Sequence, residues 1–269
     1  MPIAARMPTW FIPHGAGPCF FMEWNPIHEW DRTADFLKGL AKTLPTPPKA
    51  IVMVSAHWLE SSVRVTGSPN PELLYDYYGF PAHTYELQYP AKGEPMLAKT
   101  IVQRLKDAGV PATIHPSRGF DHGMFIPMLL LFPNADIPVV QLSLNSNRDA
   151  QTHLEIGKAL ASLRDEGILI IGSGMSFHNM RGYGKPQFGP ISDAFDAWLT
   201  KTVESDPVIR NEQLANWVSA PSARPSHPLG EEEHLLPLMV VAGAASHGAG
   251  KRVFTDRVLE TTISAFAFN

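Results

Sequence analysis

Four short runs of the chain, "TWFIP" (9–13), "KAIVMVSA" (49–56), "IPVVQLSL" (137–144) and "GILIIGSG" (167–174), are rich in apolar and β-branched residues, with little polar interruption. A strand with one wet face alternates apolar and polar side chains, so runs of this kind predict strands covered on both faces. Residues 27–44, 94–108, 149–165, 190–204 and 231–247 carry helical patterns instead. Buried strands alternating with helices predict an α/β fold, with a central mixed, mostly parallel sheet flanked by helices. The tail "KRVFTDRVLETTISAFAFN" is rich in Val, Thr and Phe and predicts late antiparallel strands, which make the sheet mixed. No internal repeat or Gly/Ser linker divides the 269 residues, and a 44% hydrophobic content supports a sizeable core, so one domain over 1–269 is expected.

Charge and apolar run length then exclude several classes of partner. A formal charge of -4 and a pI near 6.2 provide no basic field for phosphate backbones, so nucleic acid is not expected. No apolar run reaches the ~18 to 20 residues that span a bilayer, and "MPIAARMPTWFIPHG" lacks the apolar core of a secretory signal. The one cysteine, Cys19, fits a reducing compartment and reads as a small core residue beside Phe20 and Phe21. The expectation is a cytoplasmic protein whose partner is a small molecule, with a homodimer left open.

Eleven histidines are spread along the chain, and three of them stand just beyond predicted buried strands: His14, His57 and His178. The carboxyl ends of strands are where α/β sheets bind ligands, so three separate segments deliver imidazoles to one edge. His122, in "GFDHG", sits between Asp121 and Gly123; an Asp there is equally a helix N-cap. In "GEEEHLLPL" (230–238) a helix over 231–247 would turn His234 inward on the face of Leu238 and Val241, unless Pro237 kinks the helix or marks where it begins. Glu232 and Glu233 then read as solvated charges at the helix start, and Glu231 stays a rival ligand. The stretch 67–93 holds five of the six tyrosines, among them Tyr75, and reads either as a rigid flap or as a lid over a substrate.

Several imidazoles at one sheet edge suit iron, zinc or copper. The chain has no CxxC, HExxH, GxGxxG, Walker A or G-x-S-x-G pattern, so the common zinc, nucleotide and serine-hydrolase signatures do not apply.

Taken together and in this order, "PHGAGP", "VSAHW", "GFDHG", "SGMSFHN" and "HPLGEEEHLLPL" resemble the class III extradiol ring-cleavage dioxygenases, in the branch of DOPA 4,5-dioxygenase-like enzymes. The resemblance covers essentially the whole chain. It implies non-haem Fe(II), sometimes replaced by zinc, with O2 as co-substrate and a catechol, DOPA or a related substituted catechol, as the small-molecule substrate. Carried over by position, it implies His14, His57 and His234 as metal ligands, His178 as the acid/base residue and His122 as a second catalytic histidine touching substrate or oxygen. His227, Tyr75 and Arg224 are the candidate substrate contacts. Two other readings stay open at this point: a zinc-dependent hydrolase on the same histidines, and a non-catalytic interaction protein of the same fold.

Overall fold

In the computed structural model, which describes residues 6–269, eight strands join one sheet in the order β4-β3-β5-β2-β6-β1-β8-β7. Residues 1–5, where the stretch read as lacking a secretory core begins, lie outside the described residues. The strands are β1 (Thr9–Pro13), β2 (Ala50–Glu60), β3 (Val63–Thr66), β4 (Ala112–His115), β5 (Val139–Asn145), β6 (Ile168–Gly174), β7 (Gly250–Val258) and β8 (Thr261–Phe268). The block β5-β2-β6-β1 is parallel throughout, as is the β3–β4 pair. β8 runs antiparallel to both β1 and β7, and β3 antiparallel to β5, so the sheet is mixed and mostly parallel.

The unbroken apolar runs are explained by the two layers of helix. Along β1 and β2, Trp10, Ile12, Ile51 and Met53 point into one apolar cluster, while Phe11, Val52 and Val54 point into the other. The first cluster is closed by α1 (Asp31–Leu40) and α3 (His122–Leu131). The second is closed by α2 (Pro95–Asp107), α4 (Ala150–Leu160), α5 (Gly189–Val203) and α8 (Leu236–Ala245), with the short α6 (Pro207–Ala215) and α7 (Ala223–Ser226) outside them. Two buried arginines finish α8: Arg164 donates to the carbonyls of Ala244 and Ala245, and Arg210 to those of Ala242 and Ser246. These carbonyls at the helix end have no partner further along the helix, so a guanidinium fork satisfies them. No helix among the described residues is long and apolar enough to cross a membrane.

Three elements differ from the sequence expectation. The helix expected over 149–165 is α-helical only to Leu160 and tightens to a 3-10 turn over Ala161–Glu166. β2 does not stop before His57 but continues to Glu60, with a register shift against β5 between Val54 and Leu59. The helix expected over 231–247 begins only at Leu236, with Pro237 in its first turn. Proline has no N–H to give, so the first turn of a helix, where that N–H has no partner in the helix, accepts it readily. His234 therefore lies on the turn leading into α8, not on its face.

Candidate metal and substrate site

Five histidines from five separate segments meet above the carboxyl ends of β1, β2 and β6. His14 directly follows β1, and its backbone N–H donates to the Gly174 carbonyl at the end of β6 (3.3 Å). His57 lies within β2 at the register shift, where an irregular strand re-aims its side chains. His122 opens α3, whose N-cap is Asp121, with the Asp121 carboxylate accepting from the Met124 N–H. His178 follows β6, and its N–H donates to the Ser226 carbonyl (3.1 Å). His234 is held by its own carbonyl, which accepts from Met175 N–H at 2.9 Å.

Two glycines make these approaches feasible. A Cβ on Gly174 would run into the His234 carbonyl, and one on Gly123 would meet Ser55 Oγ and stand 2.9 Å from His57 Cδ2. Only a residue without a side chain lets the backbone pass so close.

The ring centroids of His14, His57 and His234 stand 4.8, 4.9 and 5.2 Å apart, a nearly equilateral triangle. Within it the Nε2 atoms of His14 and His57 face each other at 3.1 Å. The tautomer of His14 follows from its neighbours. Ser173 donates its hydroxyl hydrogen to the Gly123 carbonyl, so its oxygen accepts from His14 Nδ1–H (3.1 Å), leaving His14 Nε2 with a lone pair. His234 Nδ1 donates to Glu233 Oε1 at 3.3 Å, which frees its Nε2 in the same way. Among the described residues, potential ligand atoms lie within 4.8 Å of one another in two groups, His14 with His57 and His122, and His178 with Glu233 and His234; the set His14, His57 and His234 is not itself one of them.

His122 is tied differently. Its Nδ1 and its backbone N–H both reach Asp76 Oδ1, at 2.8 and 2.9 Å. Burial pushes the Asp76 carboxyl up, but the bonds and charge of His122 outweigh it and leave Asp76 below its ordinary value. His178 stacks flat on His234, and its Nδ1 is buried without a partner. Burial lowers His178 to about 4. Burial first, and the neighbouring imidazoles second, hold His14 and His234 well below 6.5; His57 is lowered by burial and by His122, against the pull of Asp76. At neutral pH these four rings are uncharged, the state in which imidazole binds a metal.

Behind His57, Ser55 accepts from its N–H and donates to Asp121 (2.6 Å), which Arg118 and Gln141 also contact. Asp121 thus caps α3 and anchors the strand that carries His57 at the same time.

The five rings line a cavity of about 360 Å³, shared with Trp24, Trp30, Phe80 and Tyr183 among others. The tyrosine-rich stretch does reach it, through Tyr77 and Tyr78. Tyr75 does not line it: its hydroxyl donates to the Leu87 carbonyl and its ring packs on Phe125 behind Tyr77. His227 is fully buried beside Phe195 and Trp217, with Nε2 on the Ser176 carbonyl. Arg224 stacks on Trp217 and pairs with Glu232 at 2.5 Å, in a different surface hollow.

The acidic run differs from its sequence reading. Glu232 is buried between Arg224 and Arg148, and Glu233 bridges Arg148 (3.6 Å) and His234. The carboxylate beside the histidines is that of Glu233, and the solvated pair expected at 232–233 is an internal ion-pair network. Asp76 and Ser173, which hold rings in place, carry no sequence signal of that role, because they lie 46 and 159 residues from their histidines; Glu233 adjoins His234 in the chain, and only its burial was not legible there.

Residues 8–267 match the family model of the catalytic LigB subunit of aromatic ring-opening dioxygenase. The chain is 40% identical to dioxygenase tasH of Hapsidospora irregularis, over 96% of this chain and 84% of that one. It is 37% identical to the 4,5-DOPA dioxygenase extradiol of Escherichia coli K12 (90% and 86% covered) and 36% identical to that of Beta vulgaris (90% and 88%). The crystal structure of an uncharacterized Escherichia coli K12 protein superposes with a TM-score of 0.78 at 32% identity, covering 98% of this chain and all of the other.

Proposed function

The chain belongs to the LigB family of aromatic ring-opening dioxygenases, and from that membership we propose that it is an Fe(II)-dependent extradiol dioxygenase that opens the ring of a catechol, DOPA or a related substituted catechol, with O2. The observation that carries this reading is the triangle of neutral imidazoles, His14, His57 and His234, two of them with the ligating nitrogen freed by a bond on the other. This donor set fits a divalent transition metal and does not fit calcium or magnesium, which take oxygen ligands. His122 comes as close to His14 and His57, and its Nδ1 bond to Asp76 frees its Nε2 in the same way; the family resemblance gives it the place of a second catalytic histidine beside the ligands. Iron held by the three imidazoles would supply open positions for the catechol oxygens and for O2, and would pass to O2 the electrons that the catechol gives up.

The remaining steps fall to the chain itself. His178 is neutral and its ring lines the cavity, so it would take the proton of a catechol hydroxyl there. An anion arriving in the cavity raises an imidazole pKa, which moves His178 towards the neutral range where it can also give the proton back. With Nδ1 held by Asp76, His122 presents its Nε2 lone pair at the cavity, where it would accept a hydrogen bond from a catechol hydroxyl. Trp24, Trp30 and Phe80 exclude water from the ring.

Anaerobic loading with Fe(II), followed by O2 and a series of catechols including DOPA, tests the reading. The expected result is oxygen uptake with a yellow ring-opened product; zinc-supported ester or amide cleavage with no catechol consumed would overturn it.

A further inference from the structure

The wall of the histidine cavity carries its own chemical signature. Beyond the five imidazoles it is built from Trp24, Trp30, Tyr78, Phe80, Met180 and Leu259, with small residues and two further tyrosines. Among the described residues, no Lys, Arg, Asp or Glu lines it. The hydroxyls of Tyr77 and Tyr183 are already spent, donating to the carbonyls of Thr84 (2.6 Å) and Phe177 (2.8 Å). The indole N–H of Trp30 is shut away from solvent. Charged groups behind the wall are engaged as well: Asp76 by His122, and Arg118 by Asp121 and the face of Trp58. Beyond the histidines, the side-chain polar groups left on the wall are uncharged, the Tyr78 hydroxyl and the Trp24 indole N–H. At the mouth, Tyr78 and Met180 are 88% and 68% exposed, so uncovered apolar surface continues out from the cavity.

We propose, resting on the reading of this site as a catechol dioxygenase, that its substrate is a catechol whose substituent is uncharged and apolar, an alkyl or aryl group, in preference to a catechol carrying a carboxylate or an ammonium. The diol end is taken by the histidines, which leaves the substituent to the aromatic and aliphatic wall. A charged group there loses water and gains no partner of opposite charge. An alkyl or aryl group removes Trp24, Phe80 and Leu259 from water instead. At about 360 Å³ the cavity sits low in the range of small-molecule sites, so a ring and a short substituent fill it. Each methylene lodged in an apolar pocket discriminates by on the order of tenfold.

The test uses the iron-loaded protein and three ligands with the same ring: 4-propylcatechol, 3-(3,4-dihydroxyphenyl)propionate and DOPA. Binding without oxygen is read from the fluorescence of Trp24 and Trp30, and turnover from oxygen uptake. The expected result is at least about tenfold tighter binding and higher kcat/KM for 4-propylcatechol than for either charged ligand. Equal or better binding of the charged ligands, or no binding of any, overturns the proposal. Selective binding of 4-propylcatechol with no oxygen uptake from any of the three supports the proposal while removing the dioxygenase reading, so the two fail separately. Met180→Arg, a change at an exposed position of the mouth, is expected to shift the ratio towards the propionate; an unchanged ratio overturns the placement of the substituent at this mouth.

Discussion

His178 lies flat against His234, with ring centroids 3.4 Å apart and planes 8° from parallel. Two imidazoles do not share such a face while both are charged, and burial holds both below their ordinary value. One ring makes the bond to Glu233 and the other has a free Nδ1, so stacked neighbours are set up for different work.

His234→Ala is expected to lose bound metal, and His178→Ala to keep it while losing turnover by about 10²- to 10⁴-fold, the range for removal of a general base. Metal content and kcat measured on the same preparations check this. Equal metal content and equal residual activity in the two variants contradict the assignment.

Glu233→Gln is expected to weaken metal retention by about 10- to 100-fold, because the carboxylate that orients His234 and raises its basicity is gone. Glu231→Gln, two residues earlier and outside the ion-pair network, is expected to leave retention unchanged. Competition with a chelator distinguishes them; equal effects of the two changes would contradict the Glu233 role.

Gly123→Ala is expected to destabilise the fold by about 1 to 3 kcal/mol, since its Cβ drives into Ser55 and His57. Denaturant unfolding measures the loss. Metal retention should fall with it, as His57 is displaced from the triangle; unaltered stability and retention would show that the contact relaxes freely.

Much of this arrangement was legible in the sequence, and the parts that were not share a cause. The four buried strands announce themselves because both of their faces are apolar, and His14 and His178 follow directly from where β1 and β6 end. β2 passes through His57 unannounced, since "SAHWLE" mixes polar and apolar residues around a register shift set by its neighbour β5. "GEEEHLLPL" reads as a helix with solvated acids because its periodicity is local. What buries Glu232 and Glu233 is Arg224 and Arg148, the latter some 84 residues earlier in the chain, and no local pattern encodes that pairing. Pro237 was the available signal: it marks the first turn of α8 and places His234 before it.

His153 gives the fold a pH dependence separate from the site. It is fully buried at α4, accepting from the Asn145 N–H at Nε2 and donating from Nδ1 to the Asp149 carbonyl, and burial lowers it to about 4. The unfolded chain binds its proton near 6.5, so this contribution is present above that pH and is lost as pH falls from 6.5 towards 4. The loss between neutrality and about pH 5 amounts to about 2 kcal/mol. In His153→Gln the difference in unfolding free energy between these two conditions should shrink by about that amount; the same difference in both proteins would contradict it.

The most direct measurement is the fate of labelled oxygen. The iron-loaded protein is given 4-propylcatechol under ¹⁸O₂ and the product is weighed by mass spectrometry. Incorporation of both oxygen atoms into a ring-opened product, absent in His178→Ala, is the predicted result. A product with one labelled atom or none, formed equally by His178→Ala, would contradict the account.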